Sequence, residues 1–239
     1  MEQVEKFIHW LNDIVWGPVM LVLLVGTGIR LTLILRGLQF GMLFYALKQA
    51  FRPHPKKDDG SDHEGDVSHF GALMTALSAT IGTGNIAGVA TAVVTGGPGA
   101  VFWMWITAIF GMATKYGEGV LAVKYRVTNS KGEMSGGPMY YIENGLGKKW
   151  KWLAFLFAFF GVMASFGIGS TVQANSVAQA VHSSFGIDTW ITGVVLTLIT
   201  AFVVLGGIQS IARVSSVVVP FMAVLYIVGG LVVVAMHFD

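Results

Sequence analysis

Between Phe70 and Val94 the sequence is apolar over a length that can cross a bilayer, yet its middle is interrupted. The interruption is Ser78-Ala-Thr-Ile-Gly-Thr-Gly-Asn-Ile-Ala-Gly88, with glycines at 82, 84 and 88 and polar side chains at Ser78, Thr80, Thr83 and Asn85. Glycine weakens a helix by ~1 kcal/mol per site relative to alanine. Gly82 and Gly84, two positions apart, are therefore where this helix would part. Backbone left open in hydrocarbon survives only when it is buried in protein or lines a watery cavity. The spacing thus predicts either a break at 82–85 with a site beside it, or a continuous glycine-rich helix packed tightly on its neighbours. A dinucleotide-binding loop is a third possibility, because Gly82-Thr-Gly84-Asn-Ile-Ala87 fits G-x-G-x-x-G/A. That fingerprint needs an acid ~20 residues later, and positions 100–110 contain none.

A break would have two chemically different ends. The half-helix that begins after it turns free N–H groups and a positive dipole end toward an anion. The half-helix that stops before it leaves carbonyls for a cation. A zwitterionic amino acid accompanied by Na⁺ suits both.

Of the 239 residues 54% are hydrophobic and 12% charged, with a mean hydropathy of +0.68. Soluble domains have about twice that charged fraction, so the composition predicts an all-α integral membrane protein. Cysteine is absent, which excludes disulfides and thiolate metal sites. The six histidines form no H-x-x-x-H or H-E-x-x-H pair, and there is no P-loop, nucleophile elbow or nucleic-acid motif. An enzyme is therefore not expected, nor a nucleic-acid partner. The N-terminus lacks the basic region of a cleavable signal.

Six transmembrane helices are predicted, one of them broken. The first runs from Ile14 to Leu35 and is closed by Arg36. Gly37 to Phe51 is too short and polar to span, and reads as an amphipathic helix at the inner surface. Arg52 to Asp66, with Asp58, Asp59, Asp62, Glu64 and Asp66, reads as a solvated loop; it lacks the spacing of a Ca²⁺ loop. The broken segment is span two. After the turn Gly96-Gly-Pro-Gly99, span three covers Ala100 to Val123. Its Lys115 and Glu118, at i and i+3, can pair on one face. Lys115 would lie ~24 Å down a ~30 Å core, where the pair is either a plain interfacial ion pair or a gating element. Lys124 to Trp152 reads as an inner loop. Span four runs from Leu153 to Val181. On it Phe166, Gly169, Gln173 and Ser176 are spaced to share a helical face, and the amide of Gln173 needs a partner. Span five is Thr189 to Leu205. Gly206 to Arg213 reads as an inner turn, and span six as Val214 to Met236. With the N-terminus outside, 12 of the 15 basic residues fall on the inner side. That obeys the positive-inside rule, whereas the reverse orientation breaks it.

Four motifs stand in order along the chain: Ile81-Gly-Thr-Gly-Asn-Ile-Ala-Gly-Val-Ala90, Gly96-Gly-Pro-Gly99, Lys115-Tyr-Gly-Glu118 and Ser135-Gly-Gly-Pro-Met-Tyr-Tyr141. On these the chain resembles the alanine or glycine:cation symporter family, Na⁺-coupled amino-acid transporters. The resemblance implies a five-plus-five inverted-repeat fold like that of the neurotransmitter sodium symporters, in a plasma membrane. It implies a single membrane domain over 1–239: an additional first span at 14–36, the amphipathic helix and loop at 37–66, and the first five-helix repeat at 67–238. It also implies roles. Backbone N–H groups of Thr83 and Gly84 would take the substrate carboxylate, and the Asn85 side chain would serve substrate or sodium. Carbonyls of Ser78 and Ile81 would face a sodium ion. Phe166 and Gln173 would line the substrate pocket. Such transporters are about twice as long, so the chain reads as an N-terminal half whose second repeat, or a partner chain, would complete the site. The expected function is sodium-coupled import of L-alanine or glycine; a passive channel or a structural membrane subunit is the alternative.

Overall fold

The computed structural model describes residues 2–52, 67–130 and 132–237. The acidic loop predicted at 52–66 lies, from residue 53 onward, outside the described residues.

The described chain is helical apart from a two-stranded ribbon of Val127–Thr128 and Met134–Ser135. Helix α1 is Glu2–Val15 and α2 is Pro18–Ile34, parted at Trp16–Gly17 with Pro18 in the first turn of α2. A proline there loses nothing, because the first-turn N–H groups have no helical partner. Ile14, where span one was expected to start, lies in the last turn of α1. Short helices α3 (Leu38–Gly41) and α4 (Leu43–Ala50) divide the segment expected as one amphipathic helix. Helices α5 (His69–Thr80) and α6 (Val89–Gly96) flank the interruption, and α7 is Gly99–Lys124.

The loop expected at 124–152 is partly helical. It holds α8 (Pro138–Leu146) and a single 3₁₀ turn, Lys148–Trp150. Gly137, at φ 123°, takes a backbone conformation that side-chain-bearing residues avoid, and Pro138 then opens α8. That explains the Gly-Gly-Pro sequence locally. Next come α9 (Lys151–Ala164), a π-helical segment (Ser165–Thr171) and α10 (Val172–Phe185). Helix α11 is Thr189–Leu205, as predicted. Helix α12 begins at Gly207 and runs to Met236, straight through the turn expected at 206–213.

Three described stretches are long and apolar enough to cross a membrane: Glu2–Ile34, Lys148–Phe185 and Gly207–Met236. The bent pair His69–Thr80 and Gly84–Gly96 makes a fourth. Of the six expected spans, α7 is long enough but is diluted by Trp103, Trp105, Lys115 and Glu118. Helix α11 has 17 residues, ~26 Å against a ~30 Å core.

The chain divides into two compact units. The first comprises Met1–Tyr45, Thr91–Val127 and Ser135–Ala154. Its centre is α2 on α7, where Ala113 is fully buried. A Cβ on Gly28 would lie 2.9 Å from the Phe110 carbonyl oxygen, so glycine is what lets the two backbones approach. The second unit comprises Ala46–Ala90, Thr128–Met134 and Phe155–Asp239. Here α5 packs on α12 through Met74, Ala212, Ser215 and Val219, and α10 packs on α11 through Ala178 and Thr192. Large apolar side chains such as Phe202 and Leu205 stand more than three-quarters exposed. Soluble monomers do not leave such surfaces in water, whereas lipid wets them at no cost.

Candidate substrate and cation site

The membrane-length segment is broken. Helix α5 is opened by Ser68, whose hydroxyl accepts the Gly71 N–H at 3.0 Å, and it stops at Thr80. Ile81 is extended (φ −85°, ψ 113°), and the helix restarts as a π turn, Gly84–Gly88, leading into α6. The two halves are bent by 58°.

At this break the hydrogen bonds leave the helical ladder. In a continuous helix the N–H groups of Gly82, Thr83 and Asn85 would donate to the carbonyls of Ser78, Ala79 and Ile81. Instead Gly82 N–H donates to Asn85 Oδ1 (3.2 Å), Thr83 N–H to Gln173 Oε1 (3.0 Å) and Asn85 N–H to the Gly82 carbonyl (3.1 Å). The carbonyls of Ser78, Ala79 and Ile81 are thereby relieved of their ladder donors. Two of these, Ser78 and Ile81, are the carbonyls expected to face sodium.

The second unit brings several of the sequence-derived residues together. Gln173, on α10, reaches the break across 90 residues of sequence. A Cβ on Gly82 would be 3.0 Å from both Nε2 and Oε1 of Gln173, so glycine there lets the amide approach without being crowded. A Cβ on Gly84 would meet nothing within 4 Å, so space is open at the start of the second half-helix. Asn85 Oδ1 already accepts the Gly82 N–H, and a carbonyl oxygen with two lone pairs can serve a ligand as well.

Phe166 lies on the π segment and is 70% exposed. That segment's wider turns, closed by Ser170 Oγ on the Ser165 carbonyl (3.0 Å) and by Thr171 Oγ1 on the Phe166 carbonyl, break the 3.6-residue register of the predicted shared face. Gly169 and Gln173 do remain on one side. With Ser170, Thr197, Thr200 and aliphatic neighbours they line a groove of about 640 Å³ between α10 and α11.

Residues the sequence did not single out also appear. Ser215 on α12 is buried, and its hydroxyl donates to Ser78 Oγ at 3.3 Å. Ser78 Oγ in turn donates to the Thr75 carbonyl. The only sequence hint was an adjacent Ser215-Ser216 pair in an apolar run.

Lys115 and Glu118 belong to the first unit. They form the expected i, i+3 pair at 3.0 Å, with side chains 72% and 41% exposed. Together with Leu24, Val25, Thr107, Phe110, Gly111 and Thr114 they line a cavity of about 220 Å³. Tyr141 on α8 lies within their field. Partial burial holds its phenol above the usual tyrosine range, Glu118's charge pushes it further up, and Lys115 opposes this.

The model of the sodium:alanine symporter family matches residues 1–239. The chain belongs to that family. It is a family of transporters rather than enzymes, and the protein is a multi-pass membrane protein. The sodium/alanine symporter AgcS of Methanococcus maripaludis is 62% identical over 97% of this chain and 51% of its own length. An uncharacterized transporter of Haemophilus influenzae is 52% identical over 99% of the chain and 50% of its own length. A probable sodium/glutamine symporter, GlnT of Bacillus subtilis, is 38% identical over 95% of the chain and 46% of its own length. The chain thus spans about half the length of the curated relatives it matches, while the family match runs from its first residue to its last.

Proposed function

We propose that these residues form part of a sodium-coupled site that imports a small amino acid, L-alanine or glycine. One observation supports this above the others. Three ladder bonds, those of the Gly82, Thr83 and Asn85 N–H groups, are diverted within a membrane-length segment, which turns carbonyls one way and helix-start N–H groups the other. An amino acid's carboxylate suits the N–H groups of Thr83 and Gly84, beside Asn85 and Gln173. A sodium ion suits the carbonyls of Ser78 and Ile81 and the side chain of Asn85. The open space at Gly84 and the 62% relative named for alanine favour a small side chain; the 38% relative named for glutamine is the more distant of the two.

In this reading spans two to six make the first repeat of a five-plus-five arrangement, and span one is additional. The remaining length seen in the relatives would supply the facing half of the site. The charge distribution supports an N-terminus outside a plasma membrane. Lys115 and Glu118 act as a gating pair at the inner end of α7, not as ligands.

Binding of labelled L-alanine to the purified chain in nanodiscs tests this directly, because it asks only for the site. We expect saturable binding in Na⁺ that is lost in K⁺, and lost in Asn85→Leu while that variant still inserts and elutes normally. Equal binding in K⁺ would remove the coupling.

A further inference from the structure

The break is already satisfied by the protein's own side chains. Asn85 holds Gly82 N–H from three residues away, whereas Gln173 holds Thr83 N–H from a different helix. A backbone N–H can be met only by the oxygen end of an amide, so Gln173 presents a carbonyl oxygen where a carboxylate oxygen would sit. It reaches that position because Gly82 has no side chain. We propose that Gln173 is a displaceable plug: its carbonyl holds the Thr83 N–H while the site is empty and yields it to the substrate carboxylate, so that α10 senses occupancy. This rests on the proposed reading of the break as the carboxylate site.

One N–H cannot make two linear hydrogen bonds, so carboxylate and Gln173 Oε1 compete for it. A charged acceptor makes the stronger bond, roughly twice a neutral one, and the positive end of the half-helix adds to that preference. The carboxylate therefore wins, and the amide must move. It has somewhere to go, because Gln173 also borders the groove between α10 and α11. A small amine lacking a carboxylate gains nothing from the exchange, so the plug also discriminates against amines. Gln173 is here a positioning residue, and its removal has the opposite sign to the loss of an ordinary ligand contact.

The test uses Gln173→Ala and Gln173→Glu in the full 239-residue chain in nanodiscs with saturating Na⁺. Removing the competitor in Gln173→Ala tightens L-alanine binding by about fivefold, the equivalent of one net hydrogen bond. In the empty protein it also speeds hydrogen exchange in peptides covering 79–85. Gln173→Glu replaces the plug with an anion. L-alanine binding weakens at least tenfold, because a fixed anion now holds the Thr83 N–H and repels the substrate carboxylate. Weaker binding in Gln173→Ala, or Gln173→Glu binding as tightly as wild type, would overturn the plug. If wild type itself binds no L-alanine in Na⁺, the reading of the site and the displacement fall together. Unchanged exchange in Gln173→Ala overturns the cap whatever the binding result.

Discussion

Replacing Gly82 by alanine isolates the contact that closes the broken helix. Gly82 is not in the left-handed region, so alanine is allowed by the backbone. The new methyl would sit 3.0 Å from both terminal atoms of Gln173 and 3.3 Å from its Cδ, so the amide must retreat by a few tenths of an ångström. That retreat is expected to cost the 3.0 Å bond from Thr83 N–H. A donor left unmet at a part-buried position costs ~1–3 kcal/mol. Alanine recovers ~0.4–1 kcal/mol by restricting the unfolded chain. The net loss is about 1–2 kcal/mol, or roughly 2–8 °C in thermal midpoint for a chain of this size. Thermal unfolding in detergent micelles reads this, with Gly84→Ala as control: its Cβ meets nothing within 4 Å. The control should unfold at or slightly above the wild-type temperature. In a Gln173→Ala background Gly82→Ala should cost nothing, a coupling of ~1 kcal/mol or more between the two sites. A Gly82→Ala protein that unfolds no earlier than wild type, or a control that costs as much, refutes the reasoning. So do additive effects of the two substitutions.

Two further outcomes follow from the first unit. Gly28→Ala puts a methyl 2.9–3.1 Å from backbone atoms of Phe110, which cannot rotate aside, so α2 and α7 must separate at ~1–3 kcal/mol; Gly26→Ala, which meets nothing, should leave the midpoint unchanged. Tyr141's raised phenol, set first by burial and then by Glu118, favours the neutral form in the folded chain. Between the unfolded value of 10.0 and the higher folded one, the unfolded chain holds fewer protons. The stability this group confers is therefore complete below pH ~10 and declines as pH rises from there through the folded value. Phenolate absorbance against a Tyr141→Phe reference should titrate above the ordinary range, and Glu118→Gln should lower the midpoint.

How much of this was legible beforehand differs element by element. Local signals were sufficient where one segment decides its own fate. Helix α11 falls where apolar residues end at Gly206, and the break falls at Ile81–Gly82, where closely spaced glycines weaken the helix. The failures are local too, but involve competing signals. Gly206 and Gly207 read as the start of a turn, yet the 30 residues from Gly207 continue as one helix. The π segment at 165–171 changes the helical register between Phe166 and Gln173, and no periodicity in the sequence announces it.

By itself the sequence determined the solvent and named candidates for the weak point. Apolar runs of membrane length must satisfy their backbone internally, so they become helices; of the glycine pairs two apart, Gly26–Gly28 and Gly117–Gly119 stay inside continuous helices while the helix parts at Gly82–Gly84. The tertiary structure alone decided what meets that opening. Gln173 on Thr83 spans 90 residues and Ser215 on Ser78 spans 137. The reason is physical: a freed N–H takes any oxygen that packing delivers, and packing depends on how α10 and α12 lie against the broken helix, which no local pattern encodes.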